Sequence, residues 1–173
     1  MQSVEFFQTY REDGTFGPLV PRTEVHLKGL LHRSVHILLI NNDDKLLVCQ
    51  RSSNKDICPS HWDLSAAEHQ RPGETGFETA FRGLYEELGI ENACIQAALG
   101  WKRQRIDYPS LGLTDYEETM SFISRYAGPI AFADGEVTAS KWIPLPELEA
   151  FVATHETTPW MQRDLRLLGW LEP

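Results

Sequence analysis

Cysteine is scarce in this chain of 173 residues: there are 3, at Cys49, Cys58 and Cys94, with no CxxC spacing. An odd, unpatterned set argues against a bridged framework and leaves free thiols in a reducing compartment as the expectation. Long apolar runs are missing too. None approaches the ~18 residues that a membrane span needs, so no membrane partner is expected. The opening MQSVEFFQTYREDG lacks a basic segment followed by an apolar one, so no signal peptide is expected and a cytoplasmic location follows. Positive charge is in deficit, with 16 Lys and Arg against 25 Asp and Glu and a formal net charge of −9. Duplex nucleic acid needs a basic surface, so it is set aside as a partner. A small anionic ligand is not, because a few local cations or a divalent ion can hold one. Internal repeats and low-complexity tracts are also absent.

What is present is an ordinary globular composition, 42% hydrophobic and 24% charged, read as one domain over residues 1–173. Residues 1–31 are a mixed N-terminal extension with turn signals at Asp13-Gly14 and Gly17-Pro18. Ser34–Ile40 (SVHILLI), a turn at Asn41–Asp44 and Lys45–Gln50 (KLLVCQ) read as a β-hairpin. Arg51–Asp63 reads as a polar loop, and Ala93–Gly100, Glu118–Tyr126 and Ala139–Leu145 as further strands. The clearest helix is Thr75–Leu88. Thr75 caps it with Glu78 as the capping-box partner, Phe77, Phe81, Leu84 and Leu88 make its apolar stripe, and Gly89 stops it. Shorter helices are expected from Pro146 to about Ala153 and after Pro159. Strands interleaved with helices imply an α/β layered domain.

Glu86 and Glu87 close the main helix, with Glu74 before it and Glu78 in its first turn. Mg²⁺ takes oxygen ligands, commonly one or two carboxylates plus substrate phosphates, so such a cluster can hold one. A solvated acidic face is the plainer alternative. The spacing carries further. Over residues 68–90 the chain resembles the Nudix box, G-x5-E-x7-R-E-U-x-E-E-x-G-U with U aliphatic: Glu74, Arg82, Leu84, Glu86, Glu87, Gly89 and Ile90 fall in register. Two positions depart: Glu68 stands for the leading glycine, and Gly83 for the glutamate after the arginine. PRTEVHLKGLLHRSVHILLIN, LLVCQRSSNKDICPSHWDLSAAEH and KWIPLPEL extend the resemblance, over about residues 20–150, to the branch that contains isopentenyl diphosphate isomerase and its hydrolase relatives.

That resemblance implies an α/β/α sandwich with a mixed sheet, its box a loop–helix–loop holding Mg²⁺, or Mn²⁺ in its place. It implies cleavage of a diphosphate linkage in a small molecule, such as a nucleoside di- or triphosphate, with Glu86 and Glu87 as catalytic metal ligands. Glu68 and Glu118 are further candidate ligands, and Glu74 and Gly89 structural members of the box. Arg51, Lys55, His69 and Arg82 are the candidate substrate-binding residues, Arg suiting bidentate phosphate contact and Lys a point charge. Arg82 lies four residues from both Glu78 and Glu86, which also suits it to orient a glutamate. In the family pattern, positions 83, 86 and 87 share a helix face. Here only Glu86 and Glu87 remain, and neighbours diverge by about 100°, so the metal site is narrower. Gly83 is expected to cost the helix about 1 kcal/mol, with no packing reason visible in the sequence. Glu68 is a candidate replacement for the lost carboxylate.

The isomerase of that branch has a second metal site of three histidines and two glutamates. His26, His32 and His69 fall near its histidines, Glu118 near one glutamate, and Glu117 or Tyr116 in the region of the other. Such ligands suit zinc or manganese. The position of its catalytic cysteine is Ala67, which removes the proton-transfer group and argues against isomerisation. His32 and His36 equally suit buried strand histidines, Glu136 reads as surface, and Trp101, Trp142 and Trp160 as core. Three functions stay open: a hydrolase, weaker than a full-box enzyme; a ligand-binding module that has lost the chemistry; and, last, an isomerase. Specificity is assigned to loops at the chain start and Trp101–Glu117. The resemblance leaves a homodimer open.

Overall fold

The computed structural model describes residues 5–132 and 135–173. In chain order its elements are β1 (Phe6–Tyr10), β2 (Phe16–Pro21), α1 (Arg22–Lys28), β3 (His32–Ile40), β4 (Lys45–Arg51), β5 (Trp62–Asp63), β6 (Ala66–His69), α2 (Gly76–Leu88), β7 (Ile95–Tyr108), β8 (Leu113–Arg125), β9 (Val137–Pro144), α3 (Leu148–Thr154) and α4 (Pro159–Leu167). β3 is central because it is apolar on both faces, as a strand covered on both sides must be. Val35, Ile37 and Leu39 pack with Ala80, Leu84 and Leu88 of α2. Leu38 packs on the other side with Leu148 of α3 and with Met161 and Leu165 of α4. β3 runs parallel to β8, whereas its other pairings are antiparallel, so the sheet is mixed with helices on both faces, as expected.

The hairpin reading needs correction. β3 and β4 are joined by the expected turn but pair only at Ile40–Leu46. The chain from Trp62 to His69 wedges between them: β5 pairs with β4, then β6 crosses to pair with β3 from Ile37 to Ser34. At the crossing, the Ser65 hydroxyl donates to the Leu47 carbonyl at 2.7 Å and accepts from the Leu39 amide at 2.8 Å. One side chain thereby satisfies both split strands, which would otherwise leave buried backbone groups unpaired. The split opens a cavity above Ala67.

α2 begins and ends where its signals place it. The Glu78 carboxylate accepts from the Thr75 amide at 2.7 Å, the Thr75 hydroxyl accepts from the Glu78 amide at 3.3 Å, and Gly89 takes φ 65° at the stop. Its buried face is rotated from the expected one. Phe77 and Phe81 are exposed, whereas Gly76, Ala80, Gly83, Leu84 and Leu88 face inward. The small residues decide this, because they let the helix lie close on β3 and β6. Gly83 therefore does have a packing role: a Cβ there would lie 3.0 Å from Glu68 Cβ and 3.4 Å from Ile37 Cδ1.

The loop expected over Trp101–Glu117 is instead a long antiparallel hairpin of β7 and β8, turning at 109–112. The N-terminal extension is the β1–β2 hairpin followed by α1, whose Phe7, Val20 and Val25 form their own small core. No helix among the described residues is long and apolar enough to cross a membrane.

Candidate functional site

The cavity beside the split strands holds about 490 Å³. The end of α2 contributes Glu86 and Glu87, and β6 contributes Ala67, Glu68 and His69. β8 contributes Asp115 and Glu117, the loop after β4 contributes Arg51 and Lys55, and the N-terminal segment contributes Arg22 and His26. Most sequence-derived candidates thus meet in one place.

The carboxylates of the α2 side are organised by Arg82. Its guanidinium lies 2.8 and 2.9 Å from Glu74, 2.9 Å from Glu68 and 3.2 Å from Glu86, and it donates to the His69 carbonyl at 2.7 Å. The expected partner Glu78 is occupied by the helix cap instead. Arg82 therefore lies under the site as a clamp and does not line the cavity. Burial pulls Glu74 up, but the bonds from Arg82 and the Arg71 amide win and hold it at about 2. Glu68 moves the other way: burial raises it in spite of Arg82. Glu86 also meets Arg71 at 3.2 Å and is more exposed, whereas Glu87 is buried.

A second cluster lies on the other side of Ala67. The ligating atoms of His26, His32 and His69 lie within 4.8 Å of one another, and so do those of His32, Asp115 and Glu117. Glu117 stands between His32 at 3.2 Å and His69 at 3.1 Å. Against the pull of burial, those two imidazoles hold its carboxyl well below the usual range. Burial pushes His69 down to about 3 and His26 to about 4, so both stay neutral, while Glu117 outweighs burial at His32 and raises it. Burial, then Glu117, pushes Asp115 up to about 7, and its Oδ1 is buried without a hydrogen bond among the described residues. Phe7 covers the cluster, its ring stacked 4.4 Å from His69 and 5.4 Å from His32.

Several candidates are not where the sequence reading put them. Glu118 is not brought to the cavity. Side chains alternate along a strand, so Asp115 and Glu117 face the cavity while Glu118 faces away, 2.8 Å from Arg33 and 3.3 Å from Arg103. Tyr116 shares that outer face and donates to Glu12. Arg51 reaches the cavity, but its guanidinium already meets Asp63 at 3.1 Å and the carbonyls of Cys58 and Ile57, and it packs over the Trp160 ring. Lys55 pairs with Glu136, which lines the cavity and is not merely surface. Asp115, Trp160 and His36 were missed as cavity residues. For Asp115 the signal was present, two positions before Glu117 on one strand. Trp160 comes from α4, ninety-three residues beyond the Ala67 it helps enclose, and no local pattern places it there.

Comparison with known proteins gives the family and the fold. The NUDIX domain family profile matches residues 30–164. An isopentenyl-diphosphate Δ-isomerase of Haloarcula marismortui is 30% identical over 165 residues, covering 89% of this chain and 80% of that protein. Nudix hydrolase 3 of Arabidopsis thaliana is 43% identical over 72 residues, 41% of this chain but 9% of that longer protein. The crystal structure of DR0079 from Deinococcus radiodurans superposes with a TM-score of 0.76 at 18% identity, covering 95% of this chain and 99% of that one. At that identity the likeness concerns the fold.

Proposed function

The chain belongs to the NUDIX domain family, and on that premise we propose that it is a divalent-metal-dependent hydrolase cleaving a diphosphate linkage in a small molecule. The observation that carries the reading is the contact between the two departures from the box. Glu68 packs against Gly83, so the carboxylate missing from α2 returns from β6, and Glu68, Glu86 and Glu87 line one cavity. Three carboxylates are a hard-oxygen donor set of the type that Mg²⁺ or Mn²⁺ takes, with oxygens spread more widely than the ligand atoms of the histidine cluster. These residues would hold the ion, whose chemistry when bound is to neutralise phosphoryl oxygens and make a water acidic. Arg82 fixes Glu68 and Glu86 in advance, which spares the site reorganisation during the reaction. Lys55, whose partner Glu136 is itself part-exposed, brings an exchangeable positive charge to the cavity that suits a diphosphate. The cavity volume of about 490 Å³ suits a small-molecule ligand.

A separate observation favours a second reading. The His26, His32, His69, Asp115 and Glu117 cluster offers imidazoles and carboxylates, a set that fits zinc or manganese, beside Ala67. That arrangement favours isomerase-type chemistry on an isoprenoid diphosphate, with Ala67 standing where such chemistry would use a thiol.

The test is product release from nucleoside di- and triphosphates, nucleotide sugars and isopentenyl diphosphate, with Mg²⁺ and then Mn²⁺. Turnover is expected to fall roughly 100-fold in both Glu87→Gln and Glu68→Gln, the scale of losing one charge-stabilising group. Full turnover in Glu68→Gln would refute the replacement. Ligand binding without turnover on any substrate would point to a binding module. Conversion of isopentenyl diphosphate to its allylic isomer, above all by Ala67→Cys, would favour the second reading.

A further inference from the structure

The cavity wall contains a buried titratable group that hydrolysis as described does not use. His36 lies in the middle of β3 and is only 2% exposed, yet it lines the cavity, directly across the strand pair from Ala67. Its Nδ1 lies 2.7 Å from Asp164 Oδ2 on α4. The same oxygen accepts from Ser121 Oγ at 2.6 Å, and Asp164 Oδ1 accepts from Arg163 Nε at 2.9 Å and Nη2 at 2.7 Å.

An ionised carboxylate only accepts, so Nδ1 of His36 is the donor and its proton is fixed there. Nε2 is the ring's other nitrogen. No hydrogen bond to a described residue engages it, and it is not among the buried atoms sealed without a partner, so it opens on the cavity. Burying such a pair among Leu38, Met161 and Leu165 is not repaid as stability, because apolar residues there do as well or better. A carboxylate on one ring nitrogen is, however, how a protein orients the other.

The surroundings set the charge. Arg163 and Asp164 face His36 from α4, Asp115 and Glu117 from β8, and Glu68 and His69 follow Ala67 on β6. Burial pulls the imidazole down, but Asp164 outweighs it and raises it. Asp164 is held at about 2 by His36 and Arg163 against its own burial. Asp164 thus favours the protonated ring, and a protonated His36 presents Nε2–H to a cavity that is otherwise rich in carboxylates.

We propose that His36 is a substrate-binding residue, its Nε2–H aimed by Asp164 to donate a hydrogen bond to a phosphoryl oxygen of the bound diphosphate. The inference rests on the diphosphate reading of this cavity, and Asp164 acts in it as a positioning residue.

Inorganic pyrophosphate with Mg²⁺ is the probe, added to the ¹⁵N-labelled full chain. In the unaltered protein the His36 Nε2 resonance is expected to move on binding. Calorimetry should find pyrophosphate bound about 10- to 100-fold more weakly by His36→Gln, the scale of one hydrogen bond to a charged group. Asp164→Asn should lower the pH at which His36 titrates and also weaken pyrophosphate binding at neutral pH; pyrophosphate bound by that variant as tightly as by the original would remove Asp164 from the positioning role. Pyrophosphate that binds without moving the Nε2 resonance, or that binds His36→Gln as tightly as the original, overturns the inference and leaves the hydrolase reading standing. Pyrophosphate that does not bind at all overturns the diphosphate reading, and the inference with it.

Discussion

Two single residues, Glu68 and Gly83, depart from the family box, and only their contact makes sense of both. Alanine at 83 gains about 1 kcal/mol of helix propensity. It also places a Cβ 3.0 Å from Glu68 Cβ, an atom fixed by the β6 backbone that cannot swing aside. Overpacking of this kind costs about 1–3 kcal/mol. Gly83→Ala is therefore expected to destabilise the protein by about 1 kcal/mol, and the same substitution on a Glu68→Gly background to stabilise it by about as much. Denaturant titrations of the four proteins give the coupling directly. A single Gly83→Ala that is more stable than the original would show that the helix does not press on β6 as described.

At the scale of the element, the loop and first turns of α2 are held by one ion cluster under Arg82. Glu74 has its folded carboxyl at about 2, lowered from an ordinary 4.5. A depressed acid stabilises the fold fully above its unfolded value and loses that contribution as pH falls through the folded one. The stability difference between the unaltered protein and Glu74→Gln is thus expected to be full at pH 7 and to shrink as the pH falls from about 4.5 toward 2. Urea titrations at pH 7 and at pH 3 measure it, and an equal difference at both would mean that Arg82 does not hold Glu74 ionised. Glu68 works against this trend, since burial raises it. The comparison with the Gln variant cancels that background. The boundaries of α2 were legible because capping is local chemistry within four residues of Thr75 and Gly89. Its orientation was not. Phe77 and Phe81 outweigh Ala80 and Gly83 on any hydrophobic count, yet close approach to the sheet is possible only on the side of the small residues.

On the scale of the whole molecule, the N-terminal hairpin and α1 close the histidine side of the cavity. Phe7 is almost fully buried and stacks on both His32 and His69, and α1 supplies His26. Phe7→Ala is expected to cost about 3 kcal/mol or more, the usual scale for emptying a buried aromatic position. The same variant should bind Mn²⁺ more weakly by calorimetry, because its imidazoles lose their cover. A loss below about 1 kcal/mol would mean that this segment is not integrated with the sheet core. The NUDIX match begins at residue 30, so the hairpin lies outside the matched span.

The sequence by itself determined the layered α/β class, the position and caps of α2, and the glutamate spacing on it. Each of these is written in residues close together along the chain, where helical period, turn chemistry and motif spacing act. The tertiary structure alone decided which charged groups share the cavity. It turned Asp115 and Glu117 inward and Glu118 outward by alternation along a strand that begins at Leu113, ahead of the expected start at Glu118. It seated Glu68 in the space that Gly83 leaves. It brought Asp164 to His36 from 128 residues away. Contacts at that distance are fixed by strand register and by the split of β3 from β4, and no local preference encodes either.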